Sequence, residues 1–174
     1  MLDIHRILLA DIARAAIIWT LTKGKQTMSA PHATPPWETQ GTHRIPFGVY
    51  TDEALHQREL ARFFYRGHWC YVGLEAEVPQ PGDFKRTSIG QRSVIMTRGA
   101  DGAIHVVENV CAHRGMRFCR ERHGNRQDFV CPYHQWNYAL DGTLQGVPFR
   151  RGVRRGSQVH GGMPADFQPA EHGL

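Results

Sequence analysis

One pattern limits what this chain can fold into more than any other. Cys111-Ala112-His113 is followed, after seventeen residues, by Cys131-Pro132-Tyr133-His134, so each short arm carries one thiol and one imidazole. Thiolate and imidazole are ligands for zinc or for iron combined with sulfide. Zinc would gather all four side chains into one tetrahedron, and its fingers more often place both cysteines in one arm and both histidines in the other. The mixed arms suit a cluster of two unequal irons, with Cys111 and Cys131 on one and His113 and His134 on the other. Either metal requires two loops that meet.

The composition allows such a fold. With 174 residues, 41% hydrophobic and 21% charged, the chain has the size of one globular domain and is too apolar to be disordered throughout. Four cysteines are too sparse for a disulfide scaffold. The net charge of +5 comes from 18 Arg and 3 Lys against 16 acids. Arg114, Arg117, Arg120, Arg122 and Arg126 surround the Cys/His arms, and Arg150, Arg151, Arg154 and Arg155 follow them. Few aromatic residues interleave as a stacking platform, so nucleic acid is not an expected partner. These arginines read as a solvated surface or as a face for an acidic protein.

Near the N-terminus, the apolar segment 7–21 is interrupted by Asp11 and Arg14, and it is too short and broken for a membrane span or a secretory signal. A cytoplasmic location is expected. Residues 1–44 read as a leader, in which Met28 opens a polar, Pro-rich stretch. Residues 1–27 are then either the translation of a start codon placed too early or an amphipathic helix. Residues 161–174 read as the start of a connection to a further domain.

Between these ends, Thr51 to Tyr65 carries Leu60, Phe63 and Phe64 at helical spacing, with Thr51 as the expected N-cap and Gly67 as the stop. Short β-rich runs follow at His68–Leu74, Asp83–Ile89, Ser93–Thr97, Ile104–Val110, Phe129–Cys131, Trp136–Leu140 and Thr143–Gln145. Pro81-Gly82, Gly99, Asp101-Gly102 and Asp141-Gly142 punctuate them, the two Asp-Gly pairs as hairpin turns. The expected fold class is mainly β: an antiparallel sandwich or barrel preceded by one helix, with a domain spanning 45–160.

The two arms in their context, Asn109-Val110-Cys111-Ala112-His113-Arg114-Gly115-Met116 and Cys131-Pro132-Tyr133-His134-Gln135-Trp136-Asn137-Tyr138, resemble the cluster loops of the Rieske domain in the large (α) subunit of aromatic-ring-hydroxylating oxygenases. The similarity runs from about Ile45 to the end and includes His68-Trp69-Cys70-Tyr71-Val72-Gly73. It looks strongest to the salicylate 5-hydroxylase type. The resemblance implies a Rieske [2Fe-2S] cluster on Cys111, His113, Cys131 and His134, within a class whose potentials span roughly −150 to +300 mV. High-potential members carry a disulfide between the loops. Cys119 has no partner after His134, so the lower end of the range is implied, and Cys119 and Cys70 read as packed thiols. Gly115 is expected to let loop amides approach the sulfides, and Trp136 to shield the cluster. His105 in a strand, His123 in a polar loop and His68 beside Trp69 read as structural or packing residues.

Oxygenases of this family also use a mononuclear Fe(II) held by two histidines and a carboxylate in a C-terminal domain. After His134 only His160 and His172 remain, in no suitable context, so no catalytic residue is expected here. The resemblance implies electron delivery by a ferredoxin and an NAD(P)H-dependent reductase, a small β subunit and homotrimeric association in the full enzyme, and a salicylate-like aromatic acid as substrate. The alternatives are a stand-alone Rieske ferredoxin, from which the helix at Thr51–Gly67 departs, and a zinc-stabilised binding module.

Overall fold

The computed structural model describes residues 16–19 and 45–174. The expectations for the leader therefore lie outside the described residues, except at Ala16–Trp19, a four-residue strand (β1). The chain divides into two compact units near Cys70 and Tyr71.

In the unit that holds residues 45–70, the single helix expected from Thr51 is present, beginning one residue later than expected and preceded by a separate helical turn. A short turn of helix, α1 (Gly48–Thr51), ends at Asp52, whose extended backbone breaks the run. Asp52, not Thr51, caps the next helix, α2 (Glu53–Glu59): its carboxylate accepts from the Leu55 amide at 3.0 Å. Aspartate satisfies an orphan amide there and also suits the positive end of the helix dipole. The helix then widens into a π turn over Leu60–Phe64, closed by Tyr65 N–H to Leu60 O. Leu60 is buried, while Phe63 and Phe64 are exposed.

The other unit is built on sheets. Strand β2 (Cys70–Leu74) pairs with β1. Strands β3 (Asp83–Ile89), β4 (Arg92–Arg98), β5 (Ile104–Glu108) and β6 (His123–Asn125) form an antiparallel sheet in the order β5-β4-β3-β6. The central strand β4 is buried from Ser93 to Thr97, and its unbroken run Val94-Ile95-Met96 is the pattern of a strand covered on both faces. A second sheet holds β7 (Asp128–Val130), β8 (Asn137–Ala139) and β9 (Leu144–Gly146). Strands β10 (Val153–Arg155) and β11 (Gln158–His160) form a separate exposed hairpin.

The two Asp-Gly turns share one geometry. Asp101 and Asp141 each accept, at 2.9 Å, the amide two residues on, in Ala103 and Thr143. Aspartate folds its own backbone into an Asx turn, which is why these dipeptides were legible as hairpins. Strand β6 was not legible, and His123, expected in a loop, lies in it opposite Lys85. Its three residues, His-Gly-Asn, have no apolar alternation. They form a strand because Gly124 lies beneath the Phe84 ring, where a Cβ would come within 2.9 Å of the ring.

The core between the two larger sheets is a run of aromatic contacts. Phe84 meets Phe129 edge-on at 5.4 Å, Phe129 meets Phe118 at 5.5 Å, and Phe118 stacks on Tyr138 at 5.8 Å. Thr97 ties the sheets together by donating its hydroxyl to Leu140 O at 2.7 Å, out of contact with solvent. Residues 161–174, expected to begin a connection, pack against this unit, with Phe167 buried in the core and Met163 and Leu174 against it. Aromatic and aliphatic side chains in a Pro-rich segment gave no periodicity to read, but their burial is favourable wherever a groove accepts them.

Asn109 fastens the start of the first Cys/His loop. It is fully buried, its amide donates to Cys119 O at 2.7 Å and Ser93 Oγ at 3.2 Å, and its carbonyl accepts from Cys119 N at 2.9 Å. Asn109→Ala strands a buried peptide N–H and C=O. It is expected to lower unfolding stability by about 2–4 kcal/mol, measured by urea denaturation, and by more than Asn125→Ala, whose hydrogen bonds to Pro81 O and Asp83 are exposed.

Candidate cluster site

The first loop leaves β5 and crosses to β6 at the opposite edge of the four-stranded sheet. It is therefore a sheet-spanning connection. The second loop is a hairpin tip, between Val130 and Asn137, which are paired at the ends of β7 and β8. The two loops nevertheless close alike. Gly115 N donates to Cys111 O and Cys111 N to Met116 O, both at 2.9 Å; Gln135 N donates to Cys131 O at 2.9 Å and Cys131 N to Trp136 O at 2.8 Å.

Each closure needs a residue with positive φ four places after its cysteine. Gly115 takes φ +72° and Gln135 takes φ +58°. Glycine adopts that region freely, which is the reason the structure gives for Gly115, while glutamine accepts it at a cost of about 1–2 kcal/mol.

Sulfur and imidazole separate by depth. Cys111 and Cys131 are 2% and 1% exposed, whereas His113 is exposed and His134 half-buried. Burial, and secondarily its neighbour Cys111, pushes the Cys131 thiol up, although the amides of Tyr133 and His134 point at it and act the other way. Two adjacent buried thiols become thiolates only when positive charge sits between them, and a metal supplies it. On the outer side the His113 and His134 rings are 4.6 Å apart at 75°. Desolvation first, then the neighbouring charges of His134 and Arg114, hold the His113 imidazole below its usual range, which favours the neutral form that binds metal.

Each imidazole has an aromatic support. His113 stacks on Trp136 at 4.8 Å, and His134 lies against Tyr133 at 3.8 Å, with the Arg114 guanidinium over the Tyr133 ring. Trp136 is 3% exposed and lies against one face of the His113 ring. Among the described residues no three His, Cys, Asp or Glu side chains meet at single-ion spacing. Two inner thiols and two outer imidazoles fit a two-iron cluster better than one tetrahedral ion.

Two residues of the site carried no assigned role in the sequence reading. Asn109 is one; Tyr138 is the other. The Tyr138 hydroxyl lies 3.2 Å from Cys111 Sγ and accepts from Ala112 N at 3.1 Å, and burial followed by its contact with Cys111 raises it far above an ordinary phenol. It stays protonated and can donate to sulfur. Nothing local distinguishes it from any core tyrosine in an aromatic strand.

The remaining candidates sit elsewhere. Cys119 is buried, its thiol pushed up by burial and then by Glu121, and Cys70 is buried with its thiol pushed up by burial. All four cysteines are free. His105 lies in β5 near Asp101, and His68, expected to pack, is exposed with its ring against Phe63 at 5.9 Å. His160 is exposed in β11, and His172 stacks on Phe167. Among the described residues no helix is long and apolar enough to cross a membrane.

Fold and site together define a Rieske [2Fe-2S] domain, and residues 68–156 match that family, to which the chain belongs. The relatives it resembles include large and α subunits of several oxygenases. It is 70% identical over 140 residues to the large oxygenase component of salicylate 5-hydroxylase from a Ralstonia species, covering 80% of this chain and 33% of that one. It is 47% identical over 131 residues to the large subunit of anthranilate 1,2-dioxygenase from Burkholderia cepacia, covering 75% and 30%. Naphthalene 1,2-dioxygenase with indole bound superposes with a TM-score of 0.63 at 33% identity, over 72% of this chain and 26% of that one. The chain thus spans about a third of the length of the curated relatives it matches.

The Tyr138 contact yields an expected outcome. A donor to a ligand sulfur stabilises the more negative, reduced cluster. Tyr138→Phe is expected to lower the midpoint potential of the loaded protein by about 40–90 mV, the equivalent of about 1–2 kcal/mol for one electron. Redox titration followed by visible absorption checks it.

Proposed function

We infer that Cys111, His113, Cys131 and His134 hold the [2Fe-2S] cluster, the thiolates on an inner iron and the imidazoles on an outer one. The chain then serves as the electron-transfer portion of a terminal oxygenase large subunit. The observation that carries this reading is the separation by depth: sulfur ligands in the core, imidazoles at the surface. Cluster reduction adds one electron, and the surface-facing imidazoles are the side from which it enters and leaves.

In the full assembly the electron comes from a ferredoxin and an NAD(P)H-dependent reductase and goes on to a mononuclear iron outside this chain. That assembly includes a small β subunit and a trimer of large subunits, works in the cytoplasm, and hydroxylates a salicylate-like aromatic acid. Support for an aromatic acid comes from the relatives, three of which are named for salicylate, anthranilate and terephthalate. The second reading is a self-contained Rieske carrier. Such a carrier would reduce a separate terminal oxygenase in a mixing assay, and an oxygenase portion would not.

Anaerobic reconstitution tests the ligand set. The protein is expected to bind iron and acid-labile sulfide in equal amounts and to give a Rieske EPR signal when reduced, both lost in Cys111→Ser, Cys131→Ser, His113→Ala and His134→Ala. A colourless, EPR-silent zinc protein would overturn it.

The exposed arginines Arg117 and Arg120 flank the first loop and suit an acidic ferredoxin. Reversing both to Glu is expected to slow cluster reduction by such a donor about tenfold at low salt. The difference should shrink as ionic strength rises, in stopped-flow traces. Equal rates at every salt concentration would remove the arginines from the docking face.

A further inference from the structure

Residues beyond the hairpin β10–β11 return to the cluster site along an aromatic route. The His113 ring lies flat on the Trp136 indole, their planes within 11°. The same indole is met edge-on by Phe167 at 5.8 Å and by His172 at 5.9 Å, and those two rings stack on each other at 4.6 Å. Arg150 holds the pair, with its guanidinium 5.6 Å from the centre of the Phe167 ring and a hydrogen bond donated to Phe167 O at 3.2 Å. Both ends of the segment are fastened: Met163 N donates to Arg150 O and Leu174 N to Gly142 O, each at 2.9 Å. Phe167 is 8% exposed.

We propose that Met163–Leu174 is a strap that sets the reduction potential of the cluster, with Phe167 and His172 as positioning residues acting through Trp136 on His113. The proposal rests on the reading that His113 holds iron. Two ferric ions, two sulfides, two thiolates and two neutral imidazoles sum to zero charge. One added electron breaks no bond and leaves a net charge of −1. Water near the cluster stabilises that charged state, so a segment that excludes water from the indole, and thereby from the one face of the imidazole that the indole covers, holds the potential down. The electron-rich face of the indole acts in the same direction, because it favours the more electron-poor imidazole of the oxidised cluster.

The strap is thereby a second layer of control. Trp136 could cover His113 without it, but an indole free to tilt admits water and changes its overlap with the imidazole. Rings packed edge-on against the indole remove that freedom.

The test is a redox titration of the reconstituted full chain. Trp136→Leu is expected to shift the reduction equilibrium about tenfold towards the reduced form, equivalent to about 59 mV. His172→Ala is expected to shift it about threefold the same way, about 30 mV. His172→Phe, which keeps a ring against the indole, should restore the wild-type value. His160→Ala, on the exposed hairpin, should not move it. Because Phe167 is a core residue, the half-buried His172 carries the test, and Phe167→Leu is read only where its melting temperature and Rieske spectrum are retained. An unchanged or lowered potential in His172→Ala, with an intact Rieske spectrum, overturns the proposal. A wild-type protein with no Rieske spectrum overturns instead the ligand reading beneath it, and the proposal with it.

Discussion

Two thiols that would not otherwise be neighbours meet in the core of this protein, and the rest of the β unit is arranged around that meeting. Cys111 and Cys131 come from loops of different origin, one spanning a sheet from edge to edge and the other closing a hairpin. Bringing them together buries two groups that would become charged on binding metal, which only compensating charge and hydrogen bonds make tolerable. The compensation is visible in the surroundings. Amides of Tyr133 and His134 point at Cys131, and the Tyr138 hydroxyl reaches Cys111. Asn109 pins the longer loop to Ser93 and Cys119 with no contact to solvent. The aromatic run from Phe84 through Phe129 and Phe118 to Tyr138 carries the packing of both sheets to within hydrogen-bond reach of the sulfur.

The imidazole side is governed by different physics. His113 and His134 lie near solvent, each propped by an aromatic ring rather than by a hydrogen-bonded network. A stacked ring fixes orientation without adding formal charge and leaves the imidazole close to the surface. This arrangement suits an electron relay, in which distance and solvent reorganisation matter more than the binding of a substrate.

Much of this is legible in the amino-acid sequence. The hairpins at Asp101-Gly102 and Asp141-Gly142, the apolar run of β4 and the four Cys/His positions all carry local chemistry that survives in the sequence. What escaped notice lacks such local character. Strand β6 has no apolar alternation and depends on the Phe84 ring across from it. The helix cap moved by one residue, from Thr51 to Asp52, because the choice between two adjacent cap-forming side chains is made by the backbone that precedes them. The role of Tyr138 is set by a partner twenty-seven residues away.

The tail shows the same division most clearly. Met163 to Leu174 has no periodicity and reads as a linker, yet Phe167 and His172 find the indole that covers a histidine of the site. The sequence by itself determined which four side chains could serve a two-iron cluster, because ligand chemistry belongs to residue types and their spacing. Only the tertiary structure decided which of them lie deep, which face solvent and what covers them, because depth and cover arise from contacts between segments distant in the chain.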